Sequence, residues 1–372
     1  MIVGTGTMKI AHLTSVHQPF DVRIFHKECR TLADAGHDVV LIARHERDEV
    51  VDGVRIRALP QPKNRLERMT RTVWQALRAA RDEEANIYHF HDPELIPAGL
   101  VLEYLGNTVI YDIHEDYAQQ LLVRAWLSPR ARTLVANVLK FAELFSAGRF
   151  DALCVVNKSL LEKFRKVNRN TTLLRNFVIP EFATPNQRNL TPQHLLHAGG
   201  LSEQRGLFNM LNALVDLPDS SKLLLAGPFA STKTGRRARM HPFWNRVEYF
   251  GVLSQLKLRK LYQEAAIGLI LYNNVGQYGG STAIKLYEFM LWEIPVVMPN
   301  FGDWPAFNRK HDCGICVDVT NADEVSTAIR SLLDNPGQAR ELGRRGRAAA
   351  LREFTWETEA QTLVSLYESL SQ

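Results

Sequence analysis

The sequence is poor in cysteine and has no long hydrophobic run. Four cysteines in 372 residues, Cys29, Cys154, Cys313 and Cys316, are too few for a disulfide scaffold. Cys313-Gly314-Ile315-Cys316 has the spacing of a metal or redox pair. It falls in an expected strand, Gly314 to Val319, and no second pair accompanies it, so two small core residues are the better reading. No apolar stretch approaches the roughly 18 residues of a membrane span. Met1 to Met8 has neither a basic region nor a long apolar core, so no secretory leader is expected. No Asp-x-Asp pair occurs, and no internal repeat or low-complexity segment stands out. The net charge is only +5, with an isoelectric point near 9.0, and no nucleic-acid motif goes with it. These absences point to a cytoplasmic globular protein whose partners are small anions, nucleotides or lipid-linked phosphates rather than nucleic acid.

What is present is an alternation of short apolar runs and amphipathic stretches. With 372 residues, 45% hydrophobic and 23% charged, two domains are expected rather than one core. Met8 to Val16 reads as a strand, Val22 to Ala35 as a helix stopped by Gly36, and His37 to Ala43 as a second strand. That is the opening of a doubly wound parallel sheet. Gly4-Thr5-Gly6 precedes the first strand, so it is no dinucleotide fingerprint. Further strands are expected at Val54 to Leu59, Asn86 to Phe90, Asn107 to Ile113, Asp151 to Asn157 and Thr172 to Asn176. Gln61 to Glu84 reads as a basic helix. Ser128 to Ala147 reads as a long one whose apolar residues, among them Leu134, Val138 and Phe145, are expected to pack on the sheet. Ligands of a parallel sheet meet the loops at the carboxyl ends of its strands. Phe20, Asp21 and Arg23, with His17, are candidates in the first such loop. His89-Phe90-His91-Asp92 and His114-Glu115-Asp116 end two further strands, and their histidines with Asp92 are also of the kind that holds a metal.

Val178 to Pro192, with Pro180, Pro185 and Pro192, reads as a linker. The pattern then restarts: a strand at His194 to His197, a glycine loop from Gly199 to Gly206, and strands at Lys222 to Ala226, Val247 to Val252 and Ile267 to Leu271. Ala230 to Trp244, with Lys233, Arg236, Arg237 and Arg239, reads as an exposed basic loop. The second half is organised around Gly279-Gly280-Ser281-Thr282-Ala283-Ile284-Lys285-Leu286-Tyr287-Glu288, which runs on to Pro295-Val296-Val297. Small residues opening a helix offer free backbone N–H groups and a positive dipole end to an anion. Lys285 in the first turn is unfavourable for that dipole unless an anion lies between them. Glu288, one turn on, is placed to accept hydrogen bonds from sugar hydroxyls.

This stretch resembles the donor motif of the GT4-like glycosyltransferases of the GT-B fold, and Glu288 to Val297 matches its second half. The first Glu of the family's pair falls on Gly280, and the usual glycine after the helix falls on Glu293. Gly199-Gly200-Leu201-Ser202-Glu203-Gln204-Arg205-Gly206 resembles the family's phosphate loop, with Arg205 where a Lys is usual and Gly200 where an Arg is. Arg can hold phosphate bidentately, and Lys285 is the candidate to replace the lost cation. His114 matches, by position, the histidine that orients the donor sugar, which leaves His89 and His91 as supporting or cleft residues. Phe250 and Gly251 match the strand end that packs on the nucleobase.

The resemblance covers nearly the whole chain. It implies an α/β GT-B architecture, two Rossmann-like doubly wound domains facing each other across a cleft. The expected parts are an acceptor domain over 1–178, a linker over 179–192, a nucleotide-sugar domain over 193–355, and a terminal helix over 356–372 that crosses back to the first domain. The donor set would be Gly200, Arg205, Phe250, Gly251, Gly280, Ser281, Thr282, Ala283, Lys285 and Glu288. His114 would be catalytic, with Phe20, Asp21, Arg23 and His91 on the acceptor side. The implied reaction moves a sugar from a nucleoside-diphosphate sugar to a hydroxyl of a saccharide or lipid-linked saccharide. Configuration is retained, no metal or cofactor takes part, and the setting is surface polysaccharide assembly on the cytoplasmic side, with peripheral membrane contact. Domain closure is expected to hinge at Val178 to Pro192 and near Phe354. Competing readings are a sugar-nucleotide epimerase of the same fold, a metal-dependent hydrolase built on His89, His91 and His114, and a silent nucleotide-sugar binder.

Overall fold

The computed structural model describes residues 6–122, 129–184, 193–279 and 283–371, without the side chains of 120–122, 129–132, 277 and 279. The expected donor residues Gly280, Ser281 and Thr282 lie outside the described residues, as does the 185–192 part of the expected linker. The chain forms two compact units. One comprises Met1–Asn176 with Glu357–Gln372, the other Phe177–Trp356.

The first unit is built on a sheet whose order among the described residues is β3-β4-β2-β1-β5-β6-β7-β8. The strands are β1 (Lys9–Leu13), β2 (Asp38–Arg44), β3 (Glu49–Val51), β4 (Val54–Leu59), β5 (Ile87–Phe90), β6 (Thr108–Ile113), β7 (Ala152–Val155) and β8 (Thr171–Leu173). All neighbours are parallel except β3 with β4. Central strands such as β5 and β7 are buried along their whole length, as expected where helices cover both faces. The chain first builds outward from β1 through β2, then restarts at β5 on the other side. That reversal opens a crevice above the carboxyl ends of β1 and β5.

The second unit repeats the device. Its sheet runs β11-β10-β9-β12-β13-β14, with β9 (His194–Ala198), β10 (Leu223–Ala226), β11 (Val247–Gly251), β12 (Ala265–Leu269), β13 (Val296–Pro299) and β14 (Gly314–Val317). The reversal here falls between β9 and β12. Val178 backbone bonds to Phe354 and Trp356 join the start of this unit to its end.

Four elements differ from expectation. The basic helix starts at Arg65, not Gln61, because Asn64 caps it by accepting from the Glu67 N–H at 2.9 Å. A hairpin joins β3 and β4 through Asp52 and Gly53, both with positive φ (48° and 77°), which is the geometry such a pair favours. Ala230 to Trp244 is no loop: it contains the helix Thr232–Arg239, capped by Ser231 and buried at Gly235 and Ala238. In the helix Pro129–Ala147, Leu134, Val138, Phe141 and Phe145 are exposed, while Ala136, Glu143, Ser146 and Ala147 are buried. The small and polar side of this helix packs inward, because Glu143 accepts a bond from the core Tyr111 hydroxyl at 3.1 Å.

Candidate active site

The crevice of the first unit is lined by the loop after β1 and by the ends of β5 and β6. Asp92, just past β5, clamps the β1 loop. Its Oδ2 accepts from Thr14 Oγ1 (2.7 Å), Ser15 N (2.7 Å) and Val16 N (3.1 Å). His17 then stands between two carboxylates, with Nδ1 3.2 Å from Asp21 and Nε2 3.5 Å from Asp92. Burial works against the imidazolium, but the hydrogen bond and charge of Asp21, with the charges of Asp92 and Asp112, together outweigh it and raise the His17 pKa. Asp21 also accepts from the Arg23 and Ile24 N–H groups at 2.8 and 3.0 Å, opening the first helix. Although burial opposes ionisation, the His17 hydrogen bond and charge hold the Asp21 carboxyl well below its usual range.

That helix begins with a wide π-type turn over Ile24–Cys29. Arg23, just before it, is 3% exposed. Its Nε and Nη2 donate bidentately to Asp112 at 2.9 Å each, and Nη1 donates to the Leu174 carbonyl at 3.1 Å. Arg23 thus anchors the site from below rather than lining it. Asp112 is the hub: besides Arg23 it accepts from His114 Nε2 at 2.9 Å and faces His91 Nδ1 at 3.3 Å. A carboxylate can only accept, so His114 carries its proton on Nε2. His114 is partly exposed, whereas His91 is fully buried. The His17 and His114 rings meet edge-on at 5.4 Å. Phe20, exposed at the rim, packs edge-on against Phe25 and His45. Asp112 escaped the sequence reading; its one signal is a charge inside the apolar run Val109-Ile110-Tyr111-Asp112-Ile113.

In the second unit the crevice holds the loop after β9 and the chain after β12. Gly206 closes the loop at φ 74°, and a Cβ there would lie 1.7 Å from the Leu271 carbonyl oxygen, so only glycine fits. Gly199 and Gly200 have a different use. A Cβ on Gly199 would meet Lys285 Nζ at 2.5 Å, and one on Gly200 would meet Arg205 Nη1 at 2.8 Å. The missing side chains let two cations lie against one stretch of backbone. Tyrosines position both: Lys285 Nζ donates to Tyr272 Oη at 2.9 Å, Arg205 Nε to Tyr278 Oη at 3.1 Å, and the two rings pack at 5.0 Å. Lys285 is 8% exposed, and among the described residues no carboxylate lies within 4 Å of its Nζ. It stands in the first turn of the helix Ile284–Leu291, whose N-cap is Ala283. Beneath them, His197 is buried with Nδ1 2.9 Å from the Leu269 carbonyl. Burial first, then the charges of Lys285 and Arg205, push its pKa down to about 3.

Glu288, one turn after Lys285, accepts from the Tyr262 hydroxyl at 2.7 Å, and the Tyr262 ring stacks on Trp292 at 5.6 Å. Glu293 takes the left-handed φ of 59°, the conformation for which a glycine is usual at that position. Gly251 ends β11 at φ 64°. Phe250 is exposed, while its neighbour Tyr249 packs on Phe229 at 4.7 Å, and the Arg239 guanidinium lies 5.0 Å from the Phe229 ring, 5.9 Å from Trp244 and 5.6 Å from Tyr249. No sequence pattern announced this cluster.

Residues 22–175 match a glycosyl transferase 4-like domain, and residues 208–365 match a glycosyl transferase-like domain. The chain is 23% identical over 379 aligned positions to a glycogen synthase of Mycobacterium tuberculosis, covering 93% of this chain and 90% of that protein. Its fold is similar to that of sucrose-phosphate synthase from Thermosynechococcus elongatus, with a TM-score of 0.77 and 19% identity over 98% of this chain and 99% of the other. It is also similar to Anabaena HepE, solved in complex with UDP-glucose, with a TM-score of 0.73 and 15% identity over 97% and 100% of the two chains. Two parallel-sheet units, each with its crevice at a strand-order reversal, and two matched domains that between them take in most of the sequence place this chain among the GT4-like glycosyltransferases of the GT-B fold.

Proposed function

We propose that this glycosyltransferase takes its sugar from a nucleoside diphosphate and passes it, with retention, to a hydroxyl of a saccharide or lipid-linked saccharide in surface polysaccharide assembly. The observation that carries the donor class is the pair Arg205 and Lys285 over Gly199 and Gly200. Two buried or half-buried cations beside a helix N-terminus fit a diphosphate, whose charge grows as the glycosidic bond breaks. They supply the neutralisation that metal-dependent transferases draw from a cation held by Asp-x-Asp, a motif this chain lacks, so the transfer itself is metal-free. The UDP-glucose in HepE makes uridine the first base to test.

Each remaining residue has a role in this reading. Glu288, aimed by Tyr262, accepts from sugar hydroxyls. His114, its Nε2 tied to Asp112, offers Nδ1 to a hydroxyl of the transferred sugar. Ala283, the N-cap of the helix Ile284–Leu291, gives its backbone N–H group to phosphate, and Gly280, Ser281 and Thr282 stay in the proposed donor set. Phe250 and Gly251 border the base, and Phe20 and Asp21 form the acceptor side; His91, expected there from the sequence, is fully buried behind them and touches no substrate. The path in this reading is front-face, with the leaving diphosphate receiving the acceptor proton. The exposed stripe of Leu134, Val138, Phe141 and Phe145 at helical spacing suits shallow contact with a lipid surface that presents the acceptor; no helix among the described residues is long and apolar enough to cross a membrane.

Calorimetric titration of UDP, GDP, CDP and dTDP into the wild type and Glu288→Ala, with EDTA present, tests the donor site. One nucleotide should bind, and its sugar conjugate should bind more weakly to the variant. If none binds, the reading fails. Release, without any acceptor, of free sugar inverted at one ring carbon would instead mark an epimerase.

A further inference from the structure

The core of the first unit holds a second polar cluster that sugar transfer does not use. His12 on β1 pairs in register with His89 on β5. Glu28 reaches them from the Ile24–Cys29 turn, and His91 follows from the end of β5. All four are 0% exposed. One ligand-capable atom of each lies within 4.8 Å of those of the other three. His12 Nδ1 and His91 Nε2 are 3.0 Å apart, and Glu28 Oε2 is 3.8 Å from His91 Nε2 and 4.0 Å from His12 Nδ1. The three imidazole centroids form a triangle with sides of 4.7, 4.7 and 5.2 Å. Ligand atoms around a tetrahedral zinc, each about 2 Å from the ion, stand about 3.3 Å apart. A small contraction of the side chains would reach that spacing.

Hydrogen bonding within the cluster does not satisfy it. His89 Nε2 is buried and has no hydrogen-bond partner, and Glu28 Oε2 makes none to the cluster's imidazoles; the other side of the Glu28 carboxyl is held by Arg23, with Nε 3.0 Å from Oε1, and faces Asp112. Orphaned buried acceptors of this kind are costly. The outward-facing nitrogens, by contrast, are all engaged. His12 Nε2 and His89 Nδ1 lie 3.2 and 2.8 Å from the Tyr367 hydroxyl, and His91 Nδ1 faces Asp112. Metal-bound histidines show this division, with one nitrogen on the ion and the other held by an outer oxygen that fixes ring and tautomer.

We propose that His12 Nδ1, His89 Nε2, His91 Nε2 and Glu28 Oε2 bind one zinc-class divalent cation. Three imidazoles and a carboxylate suit zinc over calcium or magnesium. Four protein ligands with no solvent access make the site closed and structural. It ties β1, the first helix and β5 together, and through Tyr367 it ties in the helix Trp356–Leu370. A hydrolytic centre needs an open position for water, so this cluster is not one.

The test uses the full, untagged chain grown in zinc-poor, cobalt-supplemented medium. The cobalt protein should carry one equivalent of metal and show the strong visible absorption of a tetrahedral Co²⁺ site. Glu28→Gln and His89→Gln should lose the metal. Tyr367→Phe should weaken it about 10- to 100-fold in competition with a chromophoric chelator. His114→Gln should keep it, since His114 lies outside the four ligands and belongs to the neighbouring group with Asp112, which shares only His91 with them. Wild-type protein that holds no stoichiometric cobalt or zinc overturns the proposal without any variant, and so does metal lost in His114→Gln but kept in Glu28→Gln. A weak octahedral spectrum would mark adventitious surface binding and would also overturn it.

Discussion

Replacing Lys285 with Met separates an anion site from a structural lysine, because the two readings predict opposite signs. In the free protein the ammonium is poorly placed. It is 8% exposed, its named partner is the neutral Tyr272 hydroxyl, and it stands in the first turn of the helix Ile284–Leu291, against the dipole. Met has a similar length, packs on the same aromatic wall, and brings no charge to desolvate. Lys285→Met should therefore stabilise the ligand-free second unit by about 1–2 kcal/mol. For a unit of this size that is roughly 2–8 °C in Tm. The nucleotide tells the other half. A charge-assisted hydrogen bond to phosphate is worth about 1.5–3 kcal/mol, so the Kd for UDP should rise roughly 10- to 150-fold. At a UDP concentration of 100 times the wild-type Kd, the wild type gains about 2.7 kcal/mol, and a variant weakened about 100-fold gains only about 0.4. Thermal melts with and without UDP, with calorimetry for Kd, read both quantities. A lower Tm for the free variant together with an unchanged Kd would show that Lys285 merely anchors Tyr272, and the diphosphate site would lose its central cation.

Three further substitutions probe other parts of the molecule. Glu143 is fully buried, and burial, only partly offset by Lys163 and Tyr111, pushes its carboxyl up to about 7. Its protonated form favours folding, so its contribution is complete below about pH 4.5 and is lost as pH rises through about 7. Glu143→Gln should be the more stable protein at pH 8, by about 3 kcal/mol at most, and equal to wild type at pH 4.5; a denaturation series over pH that stays parallel for the two proteins would contradict this. Glu293→Gly should raise stability by about 1 kcal/mol by relieving the left-handed φ of 59°, less whatever the Arg347 contact at 3.7 Å contributes; chemical denaturation measures it. His114→Asn should lower kcat about 100-fold or more while leaving UDP affinity, assigned to the second unit in the proposed function, within about twofold of wild type on the scale where tenfold is 1.4 kcal/mol.

The strands were legible because buried parallel strands are near-continuous apolar runs, and β5, β7, β9 and β10 are of that kind. The reversal at each sheet centre followed from the order of strands and helices, so the loops that carry Asp21, His114, Arg205 and Lys285 could be named in advance. What stayed hidden depends on which face of an element meets the protein. The helix Pro129–Ala147 is amphipathic, but periodicity does not say which side is covered, and here Glu143 and its Tyr111 and Lys163 partners turn the apolar side outward. The helix Thr232–Arg239 shows almost no apolar residue of its own. It is held by Gly235 against the Phe229 ring and by Arg239 over Phe229, Trp244 and Tyr249. Cation–π packing of that kind leaves no hydrophobic pattern. The same limit applies to the polar core. Arg23, Glu28, His12, His91, Asp112 and Tyr367 come from five separate segments that only the sheet and the terminal helix bring together. A motif search sees His89-Phe90-His91 and stops. The orphaned Glu28 and His89 atoms that give the cluster its chemical meaning exist only once β1, β5 and the first helix have closed around them.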